Sequence, residues 1–473
     1  MKIILSLLSG LFLHNSLQAQ AQYVIQDSLV ARYNRDDFSG FYDLGSASWK
    51  SKANPDGIAG WLNYMRSQTG PIRHNALMTD TGNTKYFMWD GAKKVMTFKL
   101  TLSDTGGFDG FDFQSYHLPV SKVYAAPIPN DNPLITQLDS VVHYNTIDFM
   151  LTQHLAGLSV GVVSNGHKHF YNYGTVEKGK TQLPASQTIF ELASIAKTFT
   201  GILLAQAVLD HKISLDDDIR KFMPGDFPNL QYQGAPLKIV NLANHTSGLP
   251  LELPNLDTFK NEFDVLKMYD HYTNNKFFAD LHSVKIDTLP GARYAYSNTG
   301  MKLLGIILEK AYGLSYQQLL KKYITGPLDM PATRTAPAIS DTTSYTKGYN
   351  ADGITMPHGN WNMFGGAGAI ISDSRDMANY VKANIDETLP AIRLSHKQTF
   401  TDGDLTLGLG WQISRDTING SRIWKSGGAL GFRSYCVVVP DKKTGMIWLS
   451  NRSDLADNEI AEMVNRILSA AIQ

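Results

Sequence analysis

The sequence predicts an α+β protein with a large two-lobed unit, in which an antiparallel sheet flanked by helices meets a helical lobe, preceded by a small α+β domain. Three observations predict it. Residues 158–173 form two apolar-rich runs joined by Asn165-Gly166, the pair that a two-residue hairpin turn favours. Near the other end, residues 422–425, 432–439 and 445–449 read as strands, while the stretch between carries mostly helical patterning. Strands at both ends with helices between them imply one sheet closed from the two termini of the unit and a helical lobe made from its middle. Ahead of all this, Pro119, Pro127, Pro129 and Pro133 punctuate the chain, where neither a helix nor a central strand can continue. A cleft between the lobes is the expected place for a site.

The composition fits this class. Of 473 residues, 43% are hydrophobic and 11% aromatic, enough apolar material to exclude intrinsic disorder and a fibrous repeat. Lys plus Arg and Asp plus Glu both number 43, so no bulk attraction to nucleic acid or to an anionic membrane is expected. The single cysteine, Cys436, rules out an internal disulfide and any cysteine-based zinc or iron–sulfur site. Its setting, Tyr435-Cys436-Val437-Val438-Val439, reads as a buried strand.

The elements follow in order. Residues 1–21 read as a signal peptide: Lys2, an apolar stretch over 3–13, then Ala19 and Ala21 at the spacing a signal peptidase reads. The apolar stretch is too short to anchor in a bilayer, and no integral membrane segment is expected in the mature chain. The protein should therefore be exported, periplasmic or secreted. Residues 22–118 read as a small α+β domain. Ile58, Trp61, Leu62 and Met65 share a helical face. Met96, Phe98, Leu100 and Leu102 alternate with Thr97, Lys99 and Thr101 in a half-buried strand, and 107–113 is a second, aromatic one. Helices first and then a curled antiparallel sheet resemble the small cone-shaped domains related to nuclear transport factor 2, which implies a spacer or docking role. Residues 119–135 are the proline-rich linker. The large domain occupies 136–473. It opens with a helix over roughly 136–155 and closes with a helix carrying Ile460, Met463, Val464, Ile467, Leu468 and Ala471 on one stripe.

Two serines have a lysine three residues on. In Ser194-Ile195-Ala196-Lys197 the spacing places the amine above the hydroxyl on a helix, and in a dry pocket the amine can take the serine proton. The apolar run over 199–209 makes that helix a buried, rigid support. Ser344-Tyr345-Thr346-Lys347 is followed by Gly348-Tyr349 with no helical pattern, so it reads as surface loop. Gly157-Leu158-Ser159-Val160-Gly161 has the form of a nucleophile elbow, but that motif works only at a strand-to-helix turn, and a hairpin follows. Ser159 is therefore expected to be a plain strand residue. His167 and His169 share a hairpin face without a third ligand for zinc.

The stretch Phe190-Glu191-Leu192-Ala193-Ser194-Ile195-Ala196-Lys197 resembles the active-site signature of class C β-lactamases and their relatives, low-molecular-mass penicillin-binding DD-peptidases and β-lactamase-like esterases. Ala193 stands where a glycine is usual. Tyr296-Ser297-Asn298 and Lys425-Ser426-Gly427 supply the second and third motifs of that family. Asn244-His245-Thr246-Ser247-Gly248-Leu249-Pro250 and Phe364-Gly365-Gly366-Ala367-Gly368 also match, all in family order, over roughly residues 138–473. The resemblance implies a β-lactamase/DD-peptidase-like fold in which Ser194 is acylated and Lys197 and Tyr296 share the proton work. Two ammonium groups beside a phenol, Lys197 and Lys425, favour its ionised form. Asn298 would hold Lys197 and donate to the substrate amide. Lys425 and Ser426 would bind a substrate carboxylate, with Gly427 and Gly428 completing that edge. The N–H groups of Ser194 and Gly428 would form the oxyanion hole. His245 would be structural. Glu252 departs from the family, whose class C β-lactamases carry a glutamine that touches the substrate side-chain amide. A carboxylate there either faces solvent or meets a cationic substrate group, such as the free amine of a peptidoglycan stem peptide.

Several functions share these residues. The first is a D-Ala-D-Ala carboxypeptidase or endopeptidase acting on peptidoglycan peptides, the second a β-lactamase. An esterase and a non-turnover penicillin-binding protein are further variants. Lys425 suits a substrate with a free carboxylate and argues against an esterase. The appended N-terminal domain favours a cell-wall peptidase over a minimal drug-destroying enzyme. No metal or organic cofactor is implied, and the partner is a small-molecule or peptide substrate.

Overall fold

Asn165 and Gly166 both adopt positive φ, 50° and 84°, the geometry of a mirror-image turn whose twist matches that of the strands it joins. They connect β5 (Gly157–Ser164) to β6 (His167–Gly174). The computed structural model describes residues 25–104, 107–335, 344–358, 361–416 and 420–472. The expected signal peptide lies outside these residues. The chain divides into two compact units, one of residues up to 125 plus 148–154, the other of 126–147 and 155–473.

The first unit contains α1 (Phe38–Asp43), α2 (Ala47–Lys50) and α3 (Pro55–Thr69), then a four-stranded antiparallel meander. Its strands are β1 (Ile72–Thr81), β2 (Thr84–Gly91), β3 (Val95–Leu102) and β4 (Phe108–Ser115). Asn54 caps α3 through the N–H groups of Asp56 and Gly57, and Pro55 supplies a pre-set first turn. Leu62 and Met65 are buried on the helical face read from the sequence, as are Met96, Phe98 and Leu100 on β3. The core is aromatic: Trp89 stacks on Phe98 at 4.0 Å between centroids, with Tyr33, Phe41 and Phe108 around them. Residues 119–135 differ from a free linker. Pro119 opens a short helix, Val120–Tyr124, whose first turn needs no proline N–H. Further on, Gly174 donates to the Pro129 carbonyl at 2.8 Å and Asn130 bridges to Tyr173, so this stretch is pinned to the end of β6.

The second unit is built on an eight-stranded antiparallel sheet. To β5 and β6 it adds β7 (Phe400–Asp402), β8 (Leu405–Leu407), β9 (Gln412–Asp416), β10 (Gly420–Gly428), β11 (Arg433–Val439) and β12 (Thr444–Ser450). The order is β7-β8-β9-β10-β11-β12-β5-β6. The seam is β12 against β5, from Thr444 opposite Ser164 to Ser450 opposite Leu158, which closes the sheet from the two ends of the domain. Helix α4 (Gln137–Thr152) falls where one was expected. Three helices support the sheet and site: α5 (Ala196–Leu209), α6 (Asn298–Tyr312) and α7 (Ser374–Asp386). Helix α7 packs on β12 and β5, and Gly161 and Gly445 provide the clearance it needs. The last helix, α8 (Asp457–Ala471), buries all six residues of its predicted stripe. Among the described residues no helix is long and apolar enough to cross a membrane.

Cys436 is fully buried in β11, and burial pushes its thiol up to about 12. Ser159 is a buried β5 residue whose hydroxyl bonds Asn172 at 2.6 Å and Ser374 at 2.8 Å, far from any turn. The segment around Ser344 is not the surface loop expected. Ile189 donates to the Ser344 carbonyl at 2.8 Å and accepts from Thr346 at 3.2 Å, a single bridge too short to leave a periodic signal.

Candidate active site

The site starts from a short strand, Phe190–Glu191, that pairs with Ile371–Ser372 and delivers the chain to a tight 3-10 turn, Ala193–Ile195. Leu192 is held at both ends: its N–H donates to Ile370 at 2.9 Å and its carbonyl accepts from Ser434 Oγ at 2.8 Å. Ala193 takes φ 47°, in the left-handed region that a side chain resists by about 1–2 kcal/mol. The usual glycine has a physical reason at this position, and the surrounding bonds force alanine to accept it. Strand β10 runs close beside this turn. A Cβ at Gly427 would lie 2.3 Å from the Leu192 carbonyl oxygen and 3.0 Å from the Ser194 nitrogen, so only glycine fits.

Helix α5 places Lys197 one turn beyond Ser194. Its Nζ donates to Ser194 Oγ at 2.9 Å and to the Ala367 carbonyl at 2.6 Å. Lys197 is 0% exposed, and loss of water pushes its pKa down to about 7, against the pull of the Glu252 carboxylate. On the other side Tyr296 Oη donates to Ser194 Oγ at 2.8 Å. The ammonium groups of Lys197 and Lys425 lie 5.1 and 4.9 Å from the Tyr296 ring centroid. Lys425 is buried on β10, and burial holds its amine below the usual lysine range. The structure therefore brings Ser194, Lys197, Tyr296 and Lys425 into one cluster.

His245 lies behind the cluster, its ring 4.4 Å from that of Tyr296. Its Nδ1 accepts from the Ser297 N–H at 3.2 Å, which orients the start of α6. Burial, reinforced by Lys425 and Lys197, holds its pKa well below the ordinary value, so it is neutral and serves as packing and acceptor. Ser297 caps α6 by accepting from Gly300.

Asn298 does not hold Lys197, as the motif implied. Its Nδ2 donates to Glu252 instead, and Lys197 is anchored by the Ala367 carbonyl. A carboxylate accepts from an amide N–H₂, so Glu252 fixes which way the Asn298 amide points. Glu252 is largely enclosed, not solvated. Burial raises its pKa to about 7, against the Asn298 hydrogen bond and the charges of Lys197 and Lys302. Lys302, one turn further along α6, is buried over the Phe277 ring at 4.5 Å.

Ala367 carries a role that sequence reading left blank. The Phe364-Gly365-Gly366-Ala367-Gly368 signature runs past α5 and α6 so closely that a Cβ at Gly366 would lie 2.8 Å from Thr200 Oγ1 and 3.0 Å from the Met301 carbonyl. Thr200 clamps it by donating to the Gly366 carbonyl at 2.6 Å. The signature is thus a tight passage that presents a carbonyl to Lys197.

Two cavities meet at Ser194. One, of about 320 Å³, is walled by Leu256, Val265, Tyr269, Phe364 and Leu430, with Glu252 as its carboxylate. The other, of about 370 Å³, is polar and carries Lys425, Ser426, Arg433 and Asp457. Ser426 is present at this edge, but its hydroxyl donates to Asp457 Oδ2 at 2.8 Å. Arg433 and Asp457 were not foreseen, since they come from β11 and α8 and match no motif. Among the described residues no group of three or more His, Cys, Asp or Glu is arranged to hold a metal ion.

Comparisons with known proteins agree with this geometry. Residues 140–469 match the family model described as Beta-lactamase. The chain is 27% identical over 355 residues to a Beta-lactamase of Escherichia coli strain K12, covering 67% of this chain and 89% of that one. It is also 27% identical over 319 residues to the D-alanyl-D-alanine-carboxypeptidase/endopeptidase AmpH of the same strain, covering 63% of this chain and 80% of that one. Among solved structures, a class C beta-lactamase superposes with a TM-score of 0.62 at 26% identity, over 70% of this chain and 96% of the other. A Beta-Lactamase/D-Alanine Carboxypeptidase from Pseudomonas syringae gives the same TM-score at 23% identity, over 71% of this chain and 99% of that one, a likeness of fold.

Proposed function

The chain belongs to the β-lactamase family, and from that premise we propose that it is an exported serine hydrolase that forms an acyl-enzyme on Ser194 and cleaves D-alanyl peptides of peptidoglycan, as a DD-carboxypeptidase or endopeptidase. The observation that carries the reading is the position of Ser194 Oγ between Lys197 Nζ at 2.9 Å and Tyr296 Oη at 2.8 Å. Burial lowers the Lys197 pKa toward neutrality, so the amine gives up its charge readily and can accept a proton. Ser194 Oγ attacks the substrate carbonyl and its proton passes into the Lys197–Tyr296 pair. The oxyanion forms beside the N–H groups of Ser194 and Gly428. The C–N bond then breaks, the leaving nitrogen takes the proton back, and an ester on Ser194 remains. Water hydrolyses that ester by the reverse proton path.

Glu252 supports a peptide as substrate. Its carboxylate faces the mostly apolar cavity beside Ser194, a setting suited to an acyl side chain with an apolar stem and a terminal amine. Such a chain occurs in stem peptides. Peptidoglycan lies outside the cytoplasmic membrane, so this reading requires the export that residues 1–21 are expected to direct.

The test is the intact mass of the mature protein after addition of a penicillin, followed in time, with Ser194→Ala as control. A long-lived adduct on wild type alone supports the peptidase reading. A brief adduct with accumulating hydrolysed penicillin makes the enzyme a β-lactamase. Equal labelling of Ser194→Ala overturns the assignment of the nucleophile.

A further inference from the structure

The polar cavity beside Ser194 already contains a carboxylate. Asp457, the first residue of α8, presents both oxygens to groups that line the cavity. Ser426 Oγ donates to Oδ2 at 2.8 Å, and Arg433 Nη2 donates to Oδ1 at 2.5 Å. These are two of the donors that a substrate carboxylate would use there. Arg433 stands opposite Gly428 in the β10–β11 register, and its guanidinium lies so close over that glycine that a Cβ at 428 would be 2.2 Å from Nη1. The arginine is therefore committed to the rim of the oxyanion site, next to the scissile bond. Lys425, the other cation of the cavity, forms no ion pair among the described residues and lies over the Tyr296 ring.

The charges decide what enters. A leaving group with a free carboxylate meets Lys425 and the Arg433 N–H groups that Asp457 does not use, but it finds Ser426 Oγ donating to Asp457 and must approach that carboxylate as a like charge. The like charge weakens its binding. A leaving group without a carboxylate pays no such penalty and can accept from the same donors through neutral oxygens. The side chains of Arg433 and Asp457 are 20% and 45% exposed, so water screens the pair in part.

We propose that Asp457 is a specificity-determining residue that acts as a resident carboxylate in the leaving-group subsite and directs the enzyme toward scissile bonds whose leaving amine carries no adjacent carboxylate. The inference rests on the acyl-enzyme reading of Ser194 and sharpens it: cleavage of an amide within or between peptide chains is favoured over removal of a terminal amino acid.

The experiment uses the full-length mature protein and two synthetic acyl-D-alanyl substrates, identical up to the scissile bond. One releases D-alanine, the other D-alaninamide. Values of kcat/KM for wild type, Asp457→Asn and Asp457→Ala are compared, with penicillin labelling of Ser194 measured on each protein. Wild type should prefer the amide. In Asp457→Asn, which keeps the size of the side chain and removes its charge, the ratio of carboxylate to amide substrate should rise about tenfold, mainly through KM. Asp457→Ala should shift the ratio in the same direction. An unchanged ratio in a protein that still labels overturns the inference alone. A ratio that moves toward the amide overturns it too, because Asp457 would then be the anchor that holds Arg433 ready for a substrate carboxylate. If wild type neither labels nor cleaves either substrate, the acyl-enzyme reading fails and this inference with it.

Discussion

Replacing Lys197 by methionine should abolish acylation and make the protein more stable at pH 7. Burial lowers the lysine pKa from 10.5 to about 7, and at about 1.4 kcal/mol per pH unit the buried charge costs about 5 kcal/mol. Methionine keeps the volume without the charge. It leaves the Ala367 carbonyl without its donor and Ser194 Oγ with Tyr296 alone, which returns about 1–3 kcal/mol. Lys197 is one of the charges that hold the Glu252 pKa down, so without it the carboxyl rises further, takes up a proton, and no unpaired anion is created. The net gain is about 2–4 kcal/mol, or roughly 3–6 °C in Tm for a domain of this size. The sign also changes with pH. Between about 7 and 10.5 the unfolded chain binds a proton on Lys197 that the folded chain does not, so wild-type stability rises with pH across that window. The variant has no such slope. Its advantage should shrink above pH 7 and reverse near pH 10. Urea unfolding of both proteins from pH 6 to 10, with penicillin labelling alongside, measures this. A variant no more stable than wild type at pH 7, or a difference that does not vary with pH, would refute the argument that Lys197 is a buried, destabilising amine.

Three further outcomes follow from the same geometry. Below pH 7 Lys197 is protonated in the folded protein, so the acylation rate should fall about tenfold per pH unit, and a flat stopped-flow profile from pH 5 to 7 would exclude lysine as the base. Gly427→Ala should lose at least about a hundredfold in kcat/KM, because its Cβ would press on Leu192 and the Ser194 N–H; retention of full activity would show that β10 can move away from the turn. Ala193→Gly should stabilise the protein by about 1 kcal/mol in urea unfolding, since φ 47° suits glycine; a loss of stability would mean that the alanine methyl contributes more packing than its backbone costs.

Much of this architecture was legible because its signals are local. Asn165-Gly166 specifies its turn, the stripe from Ile460 to Ala471 specifies its helix, and the spacing of Ser194 and Lys197 specifies their contact. What stayed hidden depends on distance or on backbone. The Ala367 carbonyl that anchors Lys197 is a group every residue has, so no residue type marks it. The pairing of Asp457 with Ser426 and Arg433 joins α8 to two strands. Asn298 pairs with Glu252 because this chain places a carboxylate where a resemblance alone predicts an amide. The edge strand β7 and its neighbour β8, three residues each, are too short for an alternation to show.

Residues 157–164 pair at once with β6, but their second partner, β12, exists only after residue 450 has been made. The Gly157 N–H reaches Asn451 Oδ1 across 294 positions. A chain emerging from its N-terminus thus carries Ser194 and Lys197 long before it carries Lys425 or the strand that shapes their turn. Such non-local pairing slows folding and delays it until synthesis is nearly complete. The incomplete chain holds a serine that it cannot use, and the enzyme becomes competent only when its last strand closes the sheet.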